Sequence, residues 1–361
     1  MLNITHHRIA FFACNVAICA TIGCASLQAQ DSVKTIVPIL NYTADLVVNT
    51  HGGIKTGATY VGYAEAGLEI NPWKNGKFNF TIASTHGGEP SAKLVGDWQV
   101  FDNYEAGNHI FALNAWYSHD IGKVSLLTGL QDVNDCYSTC DASGNLINTS
   151  FGGNQVLLSG GNVPTMPCNG LGINAMWNAS DEFSWQAGIF DGGVIDLDDG
   201  NKFNMKHKLS NSKGYVITTE AQLTPTDALI LKAGAFYHTG LENNGYYASC
   251  EKLFQLQGER SVNTFISGGY APKTDAARAS ITCGATLTSL FSKSGADALS
   301  AGLSTIHFDD FKWETAIELN YRYQLNDHFY ASPDVQWILN PMVGENAKNA
   351  LVAMLRLGFE L

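Results

Sequence analysis

From Tyr42 to Leu361 the chain keeps returning to one unit, an alternating run of roughly ten residues closed by Gly, Asn, Asp or Pro, as antiparallel strands joined in a meander would show. After the first thirty residues no apolar stretch is long enough for a helical span, so any membrane crossing must be made by strands, each needing only ~10 residues. The last run, ALVAMLRLGFEL, sets the terms. Leu351, Ala353, Leu355, Leu357, Phe359 and Leu361 share one face, and Val352, Met354, Arg356, Gly358 and Glu360 the other, because strand side chains alternate.

The same parity recurs upstream. TYVGYAEAGLEINP sets Ala64, Ala66, Leu68 and Ile70 against Tyr63, Glu65 and Glu69, and a tight turn leads into Phe78, Phe80 and Ile82. Ile173 and Trp177 face away from Asn174, Trp185 and Ile189 from Gln186, and Ile217 and Leu223 from Glu220 and Gln222. In WETAIELNYRYQLN, Trp313, Ile317, Leu319, Tyr321 and Tyr323 oppose Glu314, Glu318, Asn320, Arg322 and Gln324. The next run sets Phe329, Val335 and Trp337 against Ser332, Asp334 and Gln336.

A soluble sandwich also alternates, but it would bury these repeated Glu, Arg, Asn and Gln residues unpaired, which is costly. Three features favour a membrane barrel instead. Aromatics gather at strand ends, as Trp313, Tyr321, Tyr323, Phe329, Tyr330 and Trp337 do, which suits interfacial girdles. Short turns alternate with longer polar stretches such as Ser84 to Asn108 and Asp132 to Gly170. The chain also stops on a strand with Phe359 third from its end, a form that barrel-assembly machinery reads. The expected fold is all-β: a transmembrane antiparallel barrel of about 16 strands, porin-like, with roughly twenty residues per strand and connection.

The start of the chain addresses the compartment. Residues 1–29 read as a signal peptide, with a short basic region, an apolar core from Ile9 to about Gly23 and small residues before a cut after Ala29. Residues 30–361 would form the barrel domain in the outer membrane of a Gram-negative bacterium, in contact with its lipids. Thr21-Ile22-Gly23-Cys24 fits a lipidation motif only loosely, since Thr is a poor leading residue. The formal net charge of -12 leaves no basic face for nucleic acid. Charged residues make up only 15% of the chain against 11% aromatics, which suits strands with one greasy face. Cys136 and Cys140 sit in a polar stretch where a crosslink is a better expectation than a zinc site, which lacks further ligands nearby. No cofactor or metal is expected.

Several runs taken in order resemble the OprB family of carbohydrate-selective porins: YTADLVVNTHGGIKTGATYVGYAEAGLEI, THGGEPSAKLVGDWQV, FGGNQVLLSGGNVPTMPCNGLGINAMW and YRYQLNDHFYASPDVQWILNP. The most distinctive piece is Pro333, Asp334, Gln336, Asn340 and Pro341. The chain departs from the family pattern at Met342-Val343-Gly344, where Gly-Gly often stands. The resemblance implies a sixteen-strand barrel whose polar lumen, narrowed by inward-folding loops, passes glucose-like monosaccharides down their gradient.

A sugar needs paired donors and acceptors, and mixed charge supplies them without a single-sign well for ions. By parity the lumen-facing candidates are Glu65, Glu69, Glu220, Gln222, Glu318, Asn320, Arg322, Gln324, Asp334, Gln336, Arg356 and Glu360, about half of them expected to be structural. The repeated Thr50-His51-Gly52-Gly53 and Thr85-His86-Gly87-Gly88 read as strand ends where Gly permits positive φ. Asp191, Asp196, Asp198 and Asp199 read as a solvated acidic loop. The rival functions are a general size-limited porin and a barrel enzyme, but no Gly-x-Ser-x-Gly elbow or other nucleophile arrangement marks the latter.

Overall fold

The computed structural model describes residues 35–361 except 194–196, 199, 208, 210–212, 274–275, 293–294, 309–312 and 345–346. The leader with its cut after Ala29, Cys24, Asp196 and Asp199 therefore lie outside the described residues.

The alternating runs form the sixteen strands of one closed barrel, each paired antiparallel with its sequence neighbours, and the first strand pairs with the last. They are β1 (Ile36–Gly53), β2 (Gly57–Trp73), β3 (Gly76–Gly87), β4 (His109–Ile121), β5 (Val124–Gln131), β6 (Gly170–Asn178), β7 (Phe183–Asp191) and β8 (Tyr215–Thr226). The other eight are β9 (Leu229–His238), β10 (Asn243–Gln255), β11 (Ser261–Tyr270), β12 (Ala279–Thr288), β13 (Asp297–His307), β14 (Trp313–Gln324), β15 (Phe329–Leu339) and β16 (Lys348–Glu360). Closure removes the edges an open sheet would leave unpaired. β1 begins six residues before the alternation was legible, because Pro38 interrupts the strand reading there.

The parity holds on every quoted run. Ile317, Leu319, Val335, Trp337, Leu351, Leu355 and Leu357 are exposed on the outer surface, while Glu314, Glu318, Asn320, Asp334, Gln336 and Arg356 are buried inside. An exposed apolar surface of this extent is what a bilayer covers. Outward aromatics form two belts: Trp73, Trp177, Trp185, Phe254, Tyr323 and Phe329 toward the end that carries the termini, and Tyr237, Tyr246, Tyr270, Trp313 and Trp337 toward the other. Tyr330 does not belong to a belt. It is 1% exposed on the inner face, because neighbouring aromatics in a strand must point opposite ways and Phe329 takes the outside.

Two of the three longest far-end connections, 88–108 and 132–169, are not external loops. Both fold into the lumen and bury Val95, Phe101 and Tyr104 from the first and Tyr137, Phe151 and Leu157 from the second. The inner wall makes room for the second with small residues: Ser267, Ser280, Thr282, Thr286, Ser300, Gly302 and Ser304. At Gly302 a Cβ would meet Phe151 and Leu146 carbons at 2.6 Å, so any larger residue there would push these loop side chains away from the wall. Thr286 Oγ1 then donates to the Ala142 carbonyl at 2.8 Å and Asn154 Nδ2 to Ser267 Oγ at 3.0 Å.

Two smaller expectations resolve here. Gly52, Gly53 and Gly87 adopt φ of +68°, +65° and +115°, so the Thr-His-Gly-Gly repeats do mark strand ends, the first of them bulged, and His86 lies outside beside Tyr42 and Tyr60. The acidic stretch from the end of β7 is not uniformly solvated: Asp191 is 4% exposed although it shares the outward parity of Trp185 and Ile189, and it accepts Gly193 N at 2.9 Å, while the Asp198 side chain is exposed.

The crosslink expected between Cys136 and Cys140 is not present; neither forms a disulfide, and both are buried in the second infolded loop. Burial pushes the Cys140 thiol up to about 12, leaving almost no reactive thiolate. In the folded protein both are therefore expected to resist maleimide, with full labelling on denaturation and no mobility change on reduction. Labelling of either before unfolding would contradict this packing.

Candidate functional site

The inward side chains of β14 to β16 meet both infolded loops. Glu314 accepts the backbone N–H groups of Trp98, Gln99 and Met342 at 2.8–2.9 Å. Glu318, one rung along, accepts those of Ile147 and Asn148, the latter at 2.9 Å. Gln336 receives Asn148 Nδ2 at 3.1 Å and donates to the Phe101 carbonyl at 2.8 Å, so one side chain holds both loops. Asp334 accepts from Asn320 and Gln336 at 3.1 Å, and Ser332 Oγ donates to Asn320 Oδ1 at 2.8 Å. The Pro333-Asp334-x-Gln336 motif thus builds the clamp on which the loops rest.

Across the barrel the same logic repeats. Glu220 accepts Ser138 N at 2.8 Å and Glu251 accepts Ala142 N at 2.9 Å, while Lys232 Nζ donates to the Thr139 carbonyl at 2.8 Å. A carboxylate that accepts several N–H groups fixes a loop more firmly than neutral contacts would.

Above the clamp lies a cleft lined by Asn103 and Tyr104 of the first loop, residues 144–147 of the second, and Arg322, Tyr330, Ser332 and Arg356 of the wall. The Arg322 guanidinium lies 3.4 Å from the Tyr330 ring centroid and its Nη2 reaches Gln324 and Glu360 at 3.3 Å. Arg356 is fixed more tightly. Its Nε and Nη2 form a fork on Asp45 of β1 at 2.8–3.1 Å, and Nη2 also reaches Asp102 at 3.2 Å and Asn103 at 2.8 Å. It stands 4.5 Å from the Tyr104 ring, which stacks on Tyr63 at 4.3 Å.

Of the twelve candidates from parity, only Arg322 and Arg356 line this cleft, with Gln324 and Glu360 bonded to Arg322. Glu318, Asn320, Asp334 and Gln336 come together as the clamp, and Glu220 serves the opposite one. Glu65 accepts from Asn41 and Tyr63 on the β1–β2 wall, Glu69 pairs with Lys77 at 3.1 Å near the turn to β3, and Gln222 bonds Thr224. Sequence parity missed Asp45, Lys232, Glu251 and Tyr330, although each sits on an inward position of its strand. Asn103 and Tyr104 lie on a loop and carry no period that could have revealed them.

Docking of the first loop also depends on pH. Glu105 accepts Ser91 N through both oxygens at 2.9–3.0 Å, and burial, with Glu89 nearby, raises its carboxyl from the usual 4.5 to about 7. The docked loop keeps a proton that an undocked one has lost, so docking is strongest below the ordinary value and weakens as pH rises through the docked one. Amide exchange at residues 91–96, corrected for the intrinsic rate, is expected to be slower at about pH 5 than at about pH 8, and Glu105→Gln should flatten the difference. Faster corrected exchange in acid would refute this.

The model of the family "Carbohydrate-selective porin, OprB family" matches residues 64–239 and 218–361. The high-pH structure of Pseudomonas putida OprB superposes with a TM-score of 0.82 at 18% identity, covering 91% of this chain and 94% of that one. Its low-pH structure gives 0.63 at 15%, covering 91% and 93%. A triple-substituted Rh. blastica porin gives 0.54 at 13%, covering 90% and 100%. These likenesses establish the barrel fold. No curated protein matches the chain in sequence.

Proposed function

The chain belongs to the OprB family of carbohydrate-selective porins, and from that premise we propose that its cleft at Arg322, Tyr330, Tyr104 and Arg356 selects glucose-like monosaccharides as they diffuse through the lumen. The family and the barrel are those of a sugar-selective channel in the outer membrane of Gram-negative bacteria, not of an enzyme. The finer reading adds export by the residue 1–29 signal, a lipid-facing outer surface, and recognition of β16 by the assembly machinery.

One observation carries the sugar assignment: the Arg322 guanidinium carbon lies 3.4 Å from the Tyr330 ring centroid within a cleft that also presents Ser332 and Asn103. The cation–π contact holds the guanidinium over the ring face and presents its N–H edge to the cleft. Such an edge can donate to adjacent hydroxyls, while Asn103 and Ser332 offer groups that both donate and accept. The cation is balanced by Glu360 at 3.3 Å, so the cleft presents no unopposed charge to hold an anion.

The experiment is block of single-channel current by glucose in planar bilayers. A saturable block that weakens about tenfold in Arg322→Ala supports the assignment. No block at any glucose concentration, or a block unaffected by that substitution, would remove the cleft from the reading and favour a general size-limited porin.

A further inference from the structure

We propose that Asp102, which touches no solute, is the positioning residue that sets the selectivity of this cleft by holding Tyr104 and Arg356 in one arrangement. The inference rests on the cleft being the place where sugars are recognised.

The geometry is specific to this residue. Asp102 is 0% exposed. Its Oδ1 accepts Tyr104 N at 3.0 Å and Arg356 Nη2 at 3.2 Å, so a single oxygen joins the infolded loop to the last strand. Between them Asn103 Oδ1 takes the same Nη2 at 2.8 Å and lines the cleft. Asp45 cannot replace it: both of its oxygens go to Arg356 and it lies on β1, so it fixes the guanidinium but not the loop. The other oxygen of Asp102 is buried with no hydrogen-bond partner among the described residues. That opposes folding stability, so what the side chain contributes is geometry.

Asp102 supplies one of the two hydrogen bonds that tie the loop beside Tyr104 to Arg356, the other coming from Asn103 Oδ1, and without it the loop can shift while the barrel stays closed. Selectivity would then fall while overall permeability does not. Burial, with Asp45 beside it, also holds the Asp102 carboxyl well above the usual carboxylate range. An amide is therefore a close mimic, because it keeps Oδ1 as acceptor for both partners.

The test compares wild type, Asp102→Asn and Asp102→Ala in proteoliposomes, reading the ratio of glucose swelling to that of a size-matched neutral amino acid, with heat-modifiable gel mobility as the check on folding. Asp102→Asn is expected to keep the wild-type ratio and Asp102→Ala to lower it by about threefold at undiminished total swelling. Should the alanine variant not fold, Asp102→Ser, too short to reach both partners, is read in its place. A wild-type ratio in the folded alanine or serine variant, or equal loss in Asp102→Asn, overturns the inference. A wild type that shows no preference for glucose sinks the sugar reading of the cleft itself.

Discussion

Replacing Glu318 by Ala is expected to free the second infolded loop and widen the channel. Glu318 is 1% exposed and accepts the N–H groups of Ile147 and Asn148, and hydrogen bonds to a charged acceptor contribute ~1.5–3 kcal/mol each. Losing two of them removes a large share of what holds residues 132–169 inside, since the other carboxylates, Glu220 and Glu251, grip the earlier part at Ser138 and Ala142, and the later part keeps neutral hydrogen bonds such as Asn148 to Gln336 and Asn154 to Ser267. Single-channel conductance should rise about twofold or more, with the preference for glucose reduced. Glu318→Gln keeps one acceptor oxygen and should fall between. Unchanged conductance in a folded Glu318→Ala would mean that the small-residue wall at Gly302 and Ser304 holds the loop without the clamp.

Removing Arg356 is expected to be the most destabilising single change in the barrel. Its side chain is 7% exposed, against 1% for Asp45 and 0% for Asp102. Arg356→Met leaves two acids buried without their cation, and breaking a buried pair in this way costs ~3–5 kcal/mol. Because Asp45 is on β1 and Arg356 on β16, the loss falls on the pairing that closes the barrel. Denaturant unfolding in lipid vesicles should show the full loss in Arg356→Met and partial recovery in the double variant Asp45→Asn with Arg356→Met, which removes one of the stranded charges. A loss below ~1 kcal/mol would put the pair among solvent-screened contacts.

The strands and their faces were legible because each quoted run keeps period two to its end, and period two has one physical meaning where no helical span is available. The family followed from ordered fragments, with Pro333 to Pro341 the most distinctive. What could not be read was what the inward residues touch. Glu318 was correctly placed inside, but its partner Ile147 is 171 residues away on a segment that shows no period, so its work as a clamp had no local signal. Asp45 sat in plain view on the inward parity of YTADLVVNT, between Thr43 and Val47, yet a lone acid in a strand says nothing of a partner on β16. Tyr330 was mistaken for an interfacial aromatic because composition was weighed over parity. The resemblance implied inward-folding loops, but the polarity of these stretches could not say which ones or where they dock: the N–H groups of residues 98–99 and 147–148 find carboxylates within the barrel.

The most direct test of the account is liposome swelling with purified protein, comparing glucose, a disaccharide, a size-matched neutral amino acid and salt. A sugar-selective channel predicts fast entry of glucose and slow entry of the matched amino acid, with the disaccharide slower than glucose. Equal rates for glucose and the amino acid, ordered by size alone across the set, would contradict it.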